Sequence, residues 1–112
     1  PKRQWHDASR TEVGQLLLSL RGVPELSAFA EERLGPLLEV GGERGRDLLE
    51  TLEAYLHCGG RKTEAARELG IERQSLYHRL DRIEKILAVD LSDGDTVLAL
   101  HLAVMIRRLL SR

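Results

Sequence analysis

The chain has 112 residues, of which 42% are hydrophobic and 31% charged, with a formal net charge of −1 at pH 7 and a single cysteine. That length suits one small domain, or one domain with a fragment of another, and buries roughly 65% of the unfolded surface, so neither disulfide nor metal staple is required. The longest apolar run, residues 102–106, is far short of the roughly 20 residues that cross a bilayer, and the lone Cys58 excludes an internal disulfide.

Residues 1–10 carry mixed charge without periodicity and are expected to form a poorly ordered arm. Trp5, the one large apolar residue there, is expected to pack on an upstream part of the protein. The absence of an apolar signal region and of an initiating methionine leads to the same expectation. Thr11 is a suitable cap for a helix reaching Leu20, with Val13, Leu16, Leu17 and Leu20 as its apolar stripe, and Gly22 ends it. Pro24 suits the first position of a helix over residues 24–34, in which Leu26, Phe29, Ala30 and Leu34 share a face. Gly35 and Pro36 break this run. Leu37, Leu38 and Val40 form a short apolar patch before GGERG, residues 41–45, the most glycine-rich linker and the expected domain boundary.

A stronger helix is predicted over residues 46–58, burying Leu48, Leu49, Leu52, Tyr55 and Leu56 and stopping at Gly59 and Gly60. Next come two short helices around a glycine. Thr63 is placed as the cap of the first, with Glu64 at the positive end of its dipole and Ala65, Ala66 and Leu69 facing inward. Gly70 tolerates the left-handed backbone of a helix end. Ile71 returns to the core, and Leu76, Leu80, Ile83 and Leu87 form one stripe of the second helix, leaving Gln74, His78, Asp81 and Lys85 outward. Two alanines permit close crossing and a short turn fixes the angle, as a helix-turn-helix requires. In AVDLSDGD, residues 88–95, Val89 and Leu91 are expected to pin the loop. Asp95 is placed as the cap of a last helix over residues 96–110. That helix is apolar nearly all round, so it is expected to pack both on its own domain and on a second copy, with Arg107 and Arg108 at its negative end.

No pattern supports catalysis. His6, His57, His78 and His101 are not spaced at i+3 or i+4 from one another or from Cys58, so no helical metal pair arises. No nucleophile elbow, phosphate-cradling loop or paired carboxylates stand out, and no catalytic residue, metal or cofactor is expected. Charge is unevenly spread: residues 61–85 hold seven Lys/Arg against five acids, while the remainder carries an acidic excess of three. The polar edge of the second helix, Arg73, Gln74, Ser75, Tyr77 and His78, has the lengths and hydrogen-bonding groups that reach base edges or phosphates. Asp81 repels phosphate, so the helix is expected to approach DNA by its amino-terminal half. With the flanking Arg61, Lys62, Thr63 and Arg82, these are the candidate DNA contacts.

The pieces LLETLEAYL, the GG that follows, AARELGIERQSLYHRLDRIE and VDLSDGDTVLALHLA resemble the carboxy-terminal DNA-binding domain of PucR/CdaR-type transcriptional regulators. The resemblance covers residues 47–110, and RTEVGQLLLSLRGVPELSAFAEERLGPLLE more loosely resembles the segment preceding that domain. It implies an all-α bundle of about six helices, with residues 41–112 as the DNA-binding domain and residues 1–40 as the end of a regulatory domain or a linker. It further implies a bacterial, cytoplasmic, nucleoid-associated factor that binds double-stranded DNA as a dimer or larger assembly, a homodimer being expected here. Effector sensing would lie upstream, with no small-molecule ligand for this chain. The helix pair also resembles the Fis-type helix-turn-helix, which implies DNA contacts at Thr63, Arg73, Ser75, Tyr77 and His78, although Tyr77 and His78 stand where Fis carries basic residues. The rival reading is a helical oligomerisation or protein-docking module working through the apolar last helix.

Overall fold

In the computed structural model, which describes residues 7–110, a 3-10 turn (Ala8–Arg10) is followed by six α-helices: α1 (Glu12–Ser19), α2 (Pro24–Leu38), α3 (Gly42–His57), α4 (Lys62–Leu69), α5 (Arg73–Leu87) and α6 (Gly94–Leu110). No strand occurs among the described residues, and the all-α bundle of six helices is the expected class. Pro1 to His6, and with them Trp5, lie outside the described residues.

Local chemistry sets most helix ends. The Thr11 hydroxyl accepts from the Gly14 amide at 2.9 Å, capping α1 as expected. The cap of α6 is Asp93 and not Asp95: its carboxylate accepts both the Thr96 amide and the Thr96 hydroxyl at 2.9 Å. Thr63 is likewise displaced from its expected role. The chain leaves Gly60 with Arg61 already extended, the Arg61 carbonyl accepts the Ala65 amide at 3.0 Å, and Thr63 becomes the second residue of α4. Three helices close with the same reversal, in which the Gly60 amide reaches the Tyr55 carbonyl, Ile71 reaches Ala66 and Val89 reaches Glu84, at 3.0–3.1 Å. Gly70 adopts the left-handed conformation freely, with φ 68°, whereas Ala88 adopts it at φ 55° against a steric cost of about 1 kcal/mol.

Four expectations are corrected. Residues 8–10 are not a loose arm, for Ala8 is buried in the core. On α1 only Leu17 of the predicted stripe is buried; Val13, Leu16 and Leu20 are exposed. Gly35 and Pro36 do not end α2, which runs on to Leu38 with the proline inside it. The lost backbone bond is outweighed because Leu34 and Leu37 lie beyond reach of solvent, each contributing about 1.5–3 kcal/mol. The expected linker is mostly helix: α3 starts at Gly42, leaving residues 39–41 as the turn.

The core is one cluster. Leu48, Leu52, Tyr55 and Leu56 of α3 and Leu76, Leu80 and Ile83 of α5 are buried, while Leu49 and Leu87 are partly so; Leu91 and Val89 hold the loop before α6 against the same cluster. α6 contacts α1, α2, α3 and the 3-10 turn, and its longest contact is with α2. Its apolar circumference is therefore covered largely within the chain, and Leu98 is its one large apolar side chain left exposed among the described residues. A bidentate ion pair secures α6 to α3: Arg108 Nε and Nη2 donate to the two Glu53 carboxylate oxygens, both at 2.6 Å. The Glu53 side chain is 6% exposed and that of Arg108 36%. The hydrogen bonds that Arg108 donates to Glu53 raise the Arg108 pKa above its ordinary value against the opposing effect of burial. His101 lines the same small cleft as Glu53, His57 and Arg108; burial, and secondarily the charge of His57, lowers its pKa.

Three outcomes follow from this packing. A Cβ on Gly14 would sit 1.7 Å from the Ala8 carbonyl oxygen, so Gly14→Ala is expected to dislodge the 3-10 turn and cost about 1–3 kcal/mol in urea denaturation; an unchanged midpoint would refute that close packing. Glu53→Leu leaves Arg108 without its partner, and since Arg108 can turn toward solvent the expected loss is about 1–2 kcal/mol; a variant as stable as the parent would show the pair to be energetically idle. Because the folded state lowers the His101 pKa, the unfolded chain takes up a proton more readily. The contribution is therefore complete above the unfolded value of about 6.5 and is lost as pH falls through the folded one. Melting temperature should drop between pH 7.5 and 5.5 in the parent and less in His101→Gln, and equal slopes would remove His101 as the cause.

Candidate nucleic-acid interface

α3, α4 and α5 touch one another pairwise, and residues 70–72 make the turn between α4 and α5. Ala65 and Ala66 are buried, so α4 approaches its neighbours with almost no side chain between backbones. Leu76, Leu80 and Ile83 seat the inner face of α5. Arg79 adds a polar tie: its Nη1 donates to the Thr51 hydroxyl at 3.2 Å, and that hydroxyl donates to the Asp47 carbonyl at 2.7 Å. The opposite face of α5 is thus held outward on a fixed backbone.

That face carries two rows at helical spacing. Gln74, His78 and Arg82 make one, and Arg73, Tyr77, Asp81 and Lys85 the other; all seven are exposed. At the amino-terminal end Glu72 occupies the capping position without a side-chain bond, and Arg61 does the same for α4. The first-turn amides of both helices therefore have no side-chain acceptor and retain the partial positive charge that favours an anion. The structure brings Lys62 of α4 together with Arg73 and Tyr77 of α5. Arg73 Nη2 donates to the Tyr77 hydroxyl at 2.8 Å, and the Lys62 ammonium lies 5.1 Å from the centre of the Tyr77 ring.

The basic surplus is not uniformly available. Arg61 pairs with Glu64 at 3.2 Å and Lys85 with Asp81 at 2.9 Å, while Arg79 is turned inward. Lys62, Arg67, Arg73 and Arg82 take part in no ion pair among the described residues. Thr63, Gln74, Ser75 and His78 are exposed around the Lys62, Arg73 and Tyr77 cluster, on the same two helices.

Two supporting groups escaped the sequence reading. The Arg79 to Thr51 bond had a signal, a threonine set in the otherwise apolar stripe of α3. The Glu84 carboxylate, which accepts the Leu91 amide at 2.8 Å and ties the following loop to α5, had none, because its partner is a backbone group. Tyr55, behind the cluster, has a raised pKa from burial first and the charge of Glu84 second. Cys58 is buried, and desolvation followed by the nearby Glu68 and Glu64 raises its pKa, which disfavours the nucleophilic thiolate. Among the described residues no group of three or more His, Cys, Asp or Glu could hold a metal ion, and no helix is long and apolar enough to cross a membrane.

Residues 48–106, from the first buried leucine of α3 to the last turns of α6, match the family model described as the PucR C-terminal helix-turn-helix domain. The chain is 35% identical over 95 residues to the purine catabolism regulatory protein of Bacillus subtilis (strain 168), a match covering 85% of this chain and 18% of that protein. It is 36% identical over 104 residues to the transcriptional activator PmfR of Paenarthrobacter nicotinovorans, covering 88% and 20%. It is 27% identical over 103 residues to the proline-responsive transcriptional activator PutR of Bacillus subtilis (strain 168), covering 92% and 25%. The chain spans a quarter or less of the length of each of these three relatives. No solved structure matches it. With the matched stretch taking in all of α4 and α5, their turn and the helix that supports them, the chain belongs to the PucR C-terminal helix-turn-helix family.

Proposed function

We propose that this chain is the sequence-specific DNA-binding part of a bacterial transcriptional regulator, working as a homodimer and reading the major groove with the amino-terminal half of α5. The observation that carries this is the exposed edge from Arg73 to His78, set on a backbone fixed by the buried Leu76, Leu80 and Ile83 in a helix that packs on α2, α3 and α4. Arginine pairs bidentately with guanine and glutamine with adenine, so Arg73 and Gln74 are assigned to bases. Ser75, Tyr77 and His78 flank them. Arg61, Lys62, Thr63 and Arg82, with the uncapped helix starts, are assigned to the phosphates that set register. The Asp81 carboxylate one turn further on lifts the rest of α5 from the backbone. The role is non-enzymatic, and effector sensing belongs to other parts of the protein.

A homodimer follows from the arithmetic of charge. Each phosphate neutralised contributes a salt-dependent increment, and one copy brings few cations that are free of intramolecular partners. Two recognition helices on half-sites about 34 Å apart supply what one lacks. The rival docking role for α6 has less to support it, because α1, α2 and α3 pack on α6 and leave Leu98 as its one exposed large apolar side chain among the described residues.

Against the duplex that the parent enriches from a randomised pool, Arg73→Ala should cost about 1–3 kcal/mol and flatten the preference at one base pair. Unchanged affinity and preference at fixed salt would falsify the assignment of Arg73 to a base. Light scattering beside a mobility shift separates the rival: a stable oligomer that shifts no duplex favours docking.

A further inference from the structure

Building on the reading of α5 as the DNA-contacting helix, we propose that Tyr77 is the positioning residue of this interface. Its hydroxyl aims the Arg73 guanidinium and its ring seats the Lys62 ammonium, so one side chain registers cations from both helices against the same duplex. The hydroxyl accepts from Arg73 Nη2 at 2.8 Å, one turn away on the helix. The ring face lies 5.1 Å from Lys62 Nζ and 5.8 Å from Arg73 Cζ, within the roughly 6 Å over which an aromatic quadrupole attracts a cation.

The same row of α5 holds a second cation in a different way. One turn beyond Tyr77, Asp81 holds Lys85 at 2.9 Å, and a carboxylate that holds a cation also cancels its charge. Tyr77 holds Arg73 with an uncharged oxygen and leaves the charge in place. Only one of the five guanidinium donors is used, and four remain for a base or phosphate. Lys62 is similarly kept: Asp81, Glu84 and Asp90 line the same groove of about 280 Å³, yet Lys62 pairs with none of them and lies over the ring. Long cationic side chains otherwise lose much rotamer freedom on binding, and holding them beforehand reduces that cost. Tyr77 suits the task because its neighbour Leu76 is fully buried, which fixes the backbone from which the ring projects.

The test uses the 112-residue chain and, as probe, the duplex that the parent enriches from a randomised pool, titrated by fluorescence anisotropy over a salt series. Tyr77→Phe keeps the ring and removes the acceptor. It should weaken binding roughly threefold to tenfold with the salt slope retained. Tyr77→Ala removes the ring as well, and should lower the salt slope by about one as Lys62 is released. Combining Tyr77→Phe with Arg73→Ala should weaken binding no further than Arg73→Ala alone, since the hydroxyl acts through the guanidinium. Tyr77 is 41% exposed, so the variants should melt with the parent. Additive losses would show Tyr77 touching DNA itself and overturn the positioning role alone, as would a Tyr77→Phe variant that binds like the parent. A parent that enriches no duplex overturns the role together with the DNA-binding reading.

Discussion

Everything at the interface depends on how α5 is seated. Leu76, Leu80 and Ile83 lie on one stripe, all but removed from solvent, and each contributes about 1.5–3 kcal/mol of burial. A hydrophobic contact is non-directional, however, and a helix seated only by leucines can rotate or slide. The bond from Arg79 to the Thr51 hydroxyl adds direction, because it forms at one rotation and one height of α5 against α3. Thr51 is itself fixed by its bond to the Asp47 carbonyl. A positive charge drawn from the basic surplus of α5 thus sets the orientation of the charges that remain.

The same logic is repeated at the other end of the bundle. α6 is apolar on nearly all sides and packs against α1, α2 and α3, so burial alone does not choose its rotation. The Glu53 and Arg108 pair makes that choice, with two hydrogen bonds of fixed geometry to a carboxylate held in the core. α3 is therefore the reference for the whole domain: one of its buried polar side chains registers α5 and another registers α6. Both lie next to the leucine stripe, Thr51 beside Leu52 and Glu53 one residue on, so both ties share the rigidity of the core.

How much of this could be read in the sequence differs by kind of interaction. Apolar spacing located α3, α5 and α6 and named most of their buried residues, because burial repeats with the helix period and leaves a trace over a dozen positions. Glycine located the ends of α3 and α4 for a similar reason, since Gly59, Gly60 and Gly70 satisfy a backbone requirement that few other residues meet. The errors fall at helix starts, where the cap is displaced by two positions. Asp93 and Asp95 are both competent caps, and the choice rests on where the loop leaves the core at Leu91; Thr63 lost to Arg61 because the preceding glycines turn the chain two residues earlier. The continuation of α2 through Pro36 and the exposure of the α1 stripe depend on which helix covers which, and that is not a local property. Long-range polar pairs were the least legible. Glu53 and Arg108 are 55 positions apart, and each alone looks like an ordinary surface charge at a helix end or flank.

The placement of charge on the candidate site follows from these ties. Of the basic residues between 61 and 85, Arg61 and Lys85 are balanced by neighbours within a turn and Arg79 is committed to α3. A net surplus counted over the segment therefore hides its local concentration. Lys62 and Arg73 meet at Tyr77 beside two helix starts without side-chain caps, where the amide dipoles add to the two cations and Glu64 and Glu72 stand nearby as acids. A nearly neutral chain can present such a focus because screening limits each charge to about 8–10 Å, a shorter reach than the length of α5. What an approaching phosphate meets is set by the nearest turn of helix, and at the amino-terminal turn of α5 no carboxylate is paired with Arg73.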